Sequence, residues 1–290
     1  METLNLYFNH RLTQLGYGDD MEIRYNLSYC QGDGMAWYGT ICDHDVLIGR
    51  FIKSREATQT SVAQRLRVRR LKGALERHIA LLKQWSNEEV EIAMIGNDRY
   101  HHYNSMRVES EALEASELIE LISEDAADDD DEATDTHGIT HDASVWDSYI
   151  SWLQDDVEAI SHILEREGYN ICEAIVAEPR TVWERSTPNY VVTVELDGDD
   201  GGLSHWDEGL ALDTLSDLAQ GNGCMYGLVA WVECRHSGQL LGRTSLGGIH
   251  STQSLQDVDG RAEGYLAEKV YESIETAKKA IQKAAYAQAA

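Results

Sequence analysis

The segment EDAADDDDEATD, residues 124–135, carries eight carboxylates and no basic side chain. Charges of one sign at this density repel one another and cannot be buried without partners, so this segment cannot contribute to a hydrophobic core. The sequences on either side have the apolar periodicity of folded structure. Together with THGITHDA, the acidic run therefore predicts a solvated linker over residues 125–142, between an N-terminal domain (residues 1–124) and a C-terminal domain (residues 143–290).

Two β-hairpins and two helices are predicted in the N-terminal domain. Alternating β-branched and aromatic residues mark the strands, and the turns QGDG and NDR supply residues that tight turns favour. Apolar residues spaced three or four positions apart mark the helices. The predicted strands are residues 21–30, 35–41, 44–52, 89–96 and 101–109, and the predicted helices are residues 57–85 and 110–123.

The C-terminal domain is predicted to repeat this order of elements after an opening amphipathic helix that ends at Gly168. The elements that follow are a strand at 189–196, a helix at 205–220, a hairpin of strands 225–236 and 239–250, and a helix at 261–288. The predicted fold class is therefore α+β, with two lobes of antiparallel sheet packed with helices and joined by the acidic linker.

Most of the negative charge lies in one quarter of the chain. The net charge is −27, and residues 106–178, with twenty-two acidic and two basic side chains, contribute −20 of it. A field of this sign opposes association with membranes and with duplex DNA. In addition, no apolar run reaches the roughly eighteen residues of a membrane helix, and the first residues have no secretory pattern.

The cysteines indicate a reducing compartment. Five of them are scattered along the chain without a CxxC pair, which predicts free thiols and a cytoplasmic location. The sequence alone fixes no basic or histidine side chain beside Cys30 or Cys42, so both are interpreted as buried, unreactive thiols.

No catalytic or cofactor-binding motif is present in the sequence. HExxH, GxSxG and paired CxxC are absent, and CQGDGMAWYG lacks the Lys-Ser/Thr of a phosphate loop, so a hairpin turn is the favoured interpretation. His137 and His141, flanked by Asp135 and Asp142, could bind Zn²⁺ only with two more donors, and a polar linker is favoured there. The sequence therefore predicts neither an enzyme nor a bound cofactor or metal.

Acidic residues of the central region are the candidates for binding a partner. In VESEALEASELIELISED the glutamates are predicted to wind around a helix, with neighbours about 5–6 Å apart, a separation comparable to that of phosphates along a strand. Such a surface can occupy a cleft built for nucleic acid, although a flexible solvated linker is the alternative for residues 124–135. The candidates are Glu109, Glu111, Glu114, Glu117, Glu120, Glu124, Asp128, Asp129, Asp130, Asp131, Asp155 and Asp156.

One helix is basic, and it supports an alternative function. Residues 50–83 hold ten Lys and Arg side chains and two glutamates, so the helix could contact phosphates in a nucleic-acid-binding regulator or an antitoxin. Packing against an acidic segment of the same chain or of a partner subunit is favoured, because the net charge repels polyanions, and direct nucleic-acid binding is not expected. The candidate residues are Arg65, Arg67, Arg69, Arg70 and Arg77.

The Ala-rich helix at the C-terminus has two interpretations. It could cover the second sheet of its own chain, or it could pair with a second copy, because Ala allows close helix approach. A homodimer would bury Tyr271, Ile274, Ile281 and Tyr286 and would display the acidic region twice.

The stretches LSYCQGDG and RYHHYNSM resemble uncharacterised accessory proteins encoded on bacteriophages and integrated elements, and WLQDDVEAISHILEREGY resembles the helix that follows in them. The likeness covers residues 1–110 and part of 144–169, and it brings no catalytic residue. Accessory genes of such elements often counter host defence, and the charge is similar to that of anti-restriction and anti-CRISPR proteins that mimic nucleic acid. The resemblance implies an anti-defence inhibitor in the cytoplasm of a bacterial host, with a nucleic-acid-binding defence protein or complex as its partner.

Overall fold

The computed structural model of the chain describes residues 2–19, 21–30, 32–86, 90–96, 106–110, 112–126, 136–175, 178–198, 203 and 206–289. Within these ranges the chain forms seven helices and eight strands. The strands make two four-stranded sheets in which all neighbouring strands are antiparallel. The predicted α+β class with two antiparallel sheets is confirmed. None of the helices in the described ranges combines the length and apolar character needed to cross a membrane.

The chain divides into two compact units. The first unit is formed by residues 8–165, and the second by residues 1–7 together with residues 166–290. Both boundaries fall inside helices, namely α1 (Glu2–Leu15) and α5 (Thr136–Ile175). The division therefore differs from the predicted one, which placed residue 143 and everything after it in a C-terminal domain.

The first unit contains a sheet of order β1-β2-β3-β4. Its strands are β1 (Glu22–Asn26), β2 (Gly34–Ile41), β3 (Ile92–Gly96) and β4 (Met106–Ser110), and its other helices are α2 (Asp45–Ala57), α3 (Val62–Ser86) and α4 (Ala115–Ala126). Both predicted hairpins are confirmed, since β1 pairs with β2 and β3 with β4. The helices α2 and α3 connect the two central strands.

The predicted strand at residues 44–52 is wrong, because α2 occupies that stretch. Its buried residues are Leu47, Ile48, Phe51 and Ile52. Ile48, Phe51 and Ile52 lie one, four and five positions after Leu47, and in a helix these spacings bring the four side chains onto one face. In a strand the same side chains would point to both faces of a sheet.

The predicted loop over residues 125–142 is also wrong where the structure describes it. Helix α4 continues to Ala126, and α5 begins at Thr136. Residues 127–135, which include most of the acidic run, lie outside the described residues.

An ion pair holds the first turns of α5 against α3. Arg77 donates two hydrogen bonds of 2.8 Å to the carboxylate of Asp142, whose side chain is only 6% exposed. Burial raises the pKa of Asp142, but the hydrogen bonds from Arg77 and His141 outweigh it and leave that pKa below its ordinary value. The basic helix therefore contacts an acidic residue of its own chain at this point, as the favoured interpretation expected.

The second unit contains a sheet of order β5-β6-β7-β8. Its strands are β5 (Arg180–Ser186), β6 (Tyr190–Asp197), β7 (Cys224–Cys234) and β8 (Leu240–Ser251), and its other helices are α6 (Glu208–Ala219) and α7 (Tyr265–Ala289). Strand β5 escaped prediction because its two large apolar residues, Val182 and Trp183, are adjacent and flanked by polar and charged residues, which gives no alternating pattern, although both pack against the core. Helix α6 ends just before Gly221, as the predicted helix at 205–220 does. Gly221 has φ 77°, and its backbone N–H donates to the carbonyl of Leu218, which is a common way for a helix to end.

Helix α7 covers the second sheet. Val270, Ile274 and Ala277 pack against the apolar side chains of the strands. The same helix exposes Tyr271 and Tyr286, at 65% and 78% of their full surface. The packing of Ile274 agrees with the interpretation in which the helix covers its own sheet, and the homodimer stays a prediction.

Buried aromatic rings and two histidines form the core of the first unit. The ring centroid of Trp146 lies 5.9 Å from that of His44 and 5.7 Å from that of His78. Both histidines are buried, at 5% and 1% exposure, and His44 Nε2 lies 2.8 Å from the carbonyl oxygen of Val90. Burial lowers the pKa of both histidines and outweighs the neighbouring charges. The Val90 carbonyl, Asp43 and Asp45 oppose burial at His44, and Asp142 and Asp147 oppose it at His78, whereas Lys83 lowers the pKa of His44 further.

We expect the free energy of unfolding to fall as the pH drops below about 6.5, the ordinary pKa of histidine. Each folded-state pKa lies below the unfolded-state value, so the unfolded chain takes up protons first. The stabilising contribution is therefore complete above about pH 6.5 and is lost as the pH falls through the folded-state pKa. Urea unfolding on the two sides of that pH measures the loss, and His78→Phe should reduce it. An equal loss in the variant would contradict this assignment.

Candidate functional site

Exposed carboxylates on β4, α4 and α5 form what we call the acidic surface of the first unit. All of its members belong to residues 8–165, and each is an exposed residue. The acidic surface consists of Glu109 on β4, Glu114, Glu117, Glu120 and Glu124 at the start of and along α4, and Asp147, Asp155 and Glu158 on α5. All of the predicted partner-binding carboxylates that the structure describes belong to this unit.

The glutamates of α4 share one side of the helix. Because α4 begins at Ala115, Glu109 lies on a strand, and the prediction that the glutamates wind around a helix from residue 110 is wrong. Glu117, Glu120 and Glu124 are three and four positions apart, so they make a single stripe. Glu117 also accepts a hydrogen bond of 2.9 Å from the backbone N–H of Glu114, which caps the first turn of the helix.

Gln154 fixes α5 beside the edge strand β4. The backbone N–H of Val108 donates to Gln154 Oε1 at 2.9 Å, and Gln154 Nε2 donates to the carbonyl of Met106 at 2.8 Å. One side-chain amide thereby satisfies both a donor and an acceptor on this edge, as a further strand would. Gln154 Nε2 also donates to Glu158 Oε1 at 3.1 Å, so the carboxylate of Glu158 is held beside this edge.

The acidic surface is not neutralised from within the described part of the chain. No ion pair to Glu109, Glu114, Glu117, Glu120, Glu124, Asp147, Asp155 or Glu158 occurs among the described residues. Glu111 and Asp128 to Asp131, which were predicted as further partner-binding residues, lie outside the described residues.

Asp156, another predicted partner-binding residue, is paired with side chains of its own unit. Its carboxylate lies 2.7 Å from an Nη nitrogen of Arg50, with the two side chains 15% and 22% exposed. Tyr17 donates a hydrogen bond to the same carboxylate, and Arg50 also donates to the carbonyl of Leu15 at 3.0 Å. Burial, followed by the neighbouring charge of Asp156, raises the pKa of Tyr17 well above its ordinary value. Asp156 is therefore engaged inside the first unit.

A cleft of about 850 Å³ opens within the acidic surface. Its walls come from α3, from the segment between β4 and α4, and from α5, all within the first unit. The lining residues are His78, Ser110, Ala112, Leu113, Glu114, Ala115, Ser116, Ala143, Trp146, Asp147, Ile150 and Ser151. Sequence reasoning missed this cleft because its walls come from three elements that are far apart in the chain.

The candidate arginines of α3 are partly engaged by the chain itself. Arg69 pairs with Glu56 at 2.6 Å, and Arg65 donates to the backbone carbonyl of Gln59 at 3.3 Å. Arg77 is held by Asp142, as described above. Arg67 and Arg70 are exposed and make no ion pair within the described ranges. A second cleft of about 700 Å³ is lined by Arg67, Arg69, Arg70, Leu71, Gly73, Ala74, Arg77 and His141.

Cys30, Gly32 and Asp33 of the CQGDG motif lie in the turn between β1 and β2, as the favoured interpretation expected. The carboxylate of Asp33 accepts hydrogen bonds of 2.9 Å from the backbone N–H groups of Ser28 and Cys30, which closes the turn. Cys30 and Cys42 are both exposed, so their interpretation as buried thiols is wrong. No group of three or more His, Cys, Asp or Glu that could hold a metal occurs among the residues that the structure describes.

Comparison of the chain with protein-family models, with curated proteins and with solved structures finds no match. A functional proposal therefore has to start from the acidic surface and from the cleft within it.

Proposed function

We propose that the chain is an anti-defence inhibitor, which binds a nucleic-acid-processing defence protein of a bacterial host through the acidic surface. The observation that supports this function is the set of exposed carboxylates on β4, α4 and α5, without ion pairs in the described part of the chain. They belong to a region, residues 106–178, whose net charge is −20.

The physical basis of the proposal is competition for a basic cleft. A protein that binds nucleic acid neutralises phosphates with Lys and Arg side chains. The α4 glutamates, three and four positions apart, offer charges of the same sign about 5–6 Å from one another. Complementary charge raises the association rate and selects the partner. Because salt screens such contacts over about 8–10 Å, binding should weaken as the salt concentration rises.

Charge reversal on the acidic surface tests the proposal. We expect Glu120→Lys, Glu124→Lys and Asp155→Lys together to weaken binding of the defence protein by about tenfold or more, because attraction becomes repulsion at three exposed positions. None of the three side chains lines the cleft or makes a described ion pair. The first measurement is the plating efficiency of phage on hosts that each carry one nucleic-acid-targeting defence system. The second is the amount of defence protein that is recovered with the tagged full chain.

A matched variant separates the acidic surface from the overall charge. Glu208→Lys, Asp213→Lys and Asp217→Lys change the net charge equally, but they lie at exposed positions of α6 in the second unit. This control should inhibit the defence system as the unchanged protein does. Equal inhibition by the control and the charge-reversed variant would reject the proposal.

The alternative function is a nucleic-acid-binding regulator or antitoxin that uses α3. It is supported by Arg67 and Arg70, which are exposed and line the second cleft with Arg69 and Arg77. Against it stand the intrachain pairs of Arg69 and Arg77 and the net charge of −27. A gel-shift assay with single-stranded and duplex nucleic acid distinguishes this function from the first.

A further inference from the structure

The cleft within the acidic surface has an apolar floor and an acidic mouth. Ala143 and Trp146 form part of the floor and are only 6% and 5% exposed. Glu114, from the segment before α4, and Asp147, on α5, also line the cleft and are exposed residues. The cleft volume of about 850 Å³ lies within the range of about 300–1,000 Å³ that is usual for binding pockets.

One buried polar group also faces this space. His78 lines the cleft with 1% of its surface exposed, and its Nδ1 has no hydrogen-bond partner among the described residues. Burial lowers the pKa of this imidazole, which favours the neutral form at neutral pH, so the floor does not repel a cation held at the mouth.

These features define the chemistry of an occupant. An apolar floor gains free energy when an apolar side chain replaces water, and aromatic side chains gain most because they bury the largest area. The carboxylates at the mouth require positive charge next to that side chain, since an acidic or neutral neighbour would leave them desolvated without a partner. A compact cation alone would pair with the carboxylates at the mouth, but it would bury none of the apolar surface of the floor.

We infer that this cleft is the anchoring pocket of the acidic surface, and that it takes an apolar, preferably aromatic, side chain flanked by Lys or Arg in a segment of the partner protein. The inference rests on the proposed function and deepens it. Long-range charge on the rest of the surface attracts the partner, and the cleft adds a contact that salt does not screen.

The test uses a labelled Lys-rich peptide with one central Phe, and a matched peptide in which Ser replaces that Phe. Fluorescence anisotropy with the full chain should show that the Phe peptide binds about tenfold more tightly or better. The difference should persist at high salt, where the Ser peptide dissociates. Ser151→Trp places a large ring at the exposed rim and should remove the advantage of the Phe peptide. Ser148→Trp, one turn away on α5 and outside the cleft lining, should keep it.

The peptide experiment can reject the anchoring pocket without rejecting the proposed function, which the charge-reversal experiment tests. Equal binding of the two peptides, or no binding of the Phe peptide, overturns the anchoring pocket. The proposed function then stands or falls on Glu120, Glu124 and Asp155, none of which lines the cleft. An unchanged Phe advantage in Ser151→Trp would also overturn the inference, because the apolar side chain would then lie elsewhere.

Discussion

Replacing Asp156 by Ala should lower the free energy of unfolding by about 3 kcal/mol, because removing one partner of a buried ion pair leaves the other without compensation. The change would leave the guanidinium of Arg50 largely buried, and it would take the hydrogen-bond acceptor from Tyr17, whose side chain is fully buried. Urea unfolding followed by circular dichroism measures the effect. Asp156→Asn should lower the free energy of unfolding by less, since an amide oxygen can still accept a hydrogen bond.

The neighbouring carboxylate provides the control for this prediction. Asp155 is exposed and makes no described ion pair, so Asp155→Asn should change the unfolding free energy by less than about 0.5 kcal/mol. A similar loss for Asp155→Asn and Asp156→Ala would mean that α5 is destabilised by any change at this point. In that case the Arg50 network would not be the reason.

Gly242→Ala should destabilise the second unit by about 3 kcal/mol, at the upper end of the usual range for overpacking. A Cβ at Gly242 would lie 2.5 Å from the carbonyl oxygen of Ser273 and 2.6 Å from the backbone nitrogen of Ala277. Both atoms belong to the backbone of α7, so no side-chain rotation can relieve the overlap, and the helix has to move away from β8. Thermal and urea unfolding should both detect the loss.

Gly227, a buried glycine of the same sheet, provides the control, because a Cβ there would overlap no other atom. A Cβ at Gly227 of β7 would meet its nearest atom, the carbonyl oxygen of Leu246, at 3.4 Å, which is a normal van der Waals distance. We expect Gly227→Ala to change stability by less than about 1 kcal/mol. A loss as large as that of Gly242→Ala would contradict the explanation by close helix approach.

Local patterns were enough to predict the hairpins and most helices, and they failed where two signals overlapped. The stretch HDVLIGRFI has the β-branched and apolar residues of a strand, and its composition hid the helical spacing of the buried residues of α2. The stretch THGITHDA offers only Ile139 and Ala143 as large or small apolar residues, too few for a helical pattern by themselves. Both are buried in α5, and Arg77, sixty-five positions before Asp142, binds its carboxylate, contacts that no local pattern contains.

The acidic surface was predictable from charge. Which of its carboxylates are exposed and which form contacts inside the unit was not predictable. Asp155 and Asp156 are adjacent and chemically identical, yet one is exposed and the other is held by Arg50 and Tyr17. A helix rotates by about 100° per residue, so neighbours in sequence face different surroundings. The cleft likewise depends on the tertiary arrangement of α3, α4 and α5, which the order of elements does not determine.

The second unit joins residues 1–7 to residues 166–290, and Tyr7 donates a hydrogen bond of 2.8 Å to Glu167 within it. A ribosome releases the first seven residues long before the segment that they pack with. During synthesis the first unit therefore has all of its residues before the second does, and at about 5–20 residues per second the remaining segment takes about 6–25 seconds to appear. Until then, the amino-terminal end of α1 has no complete unit to join.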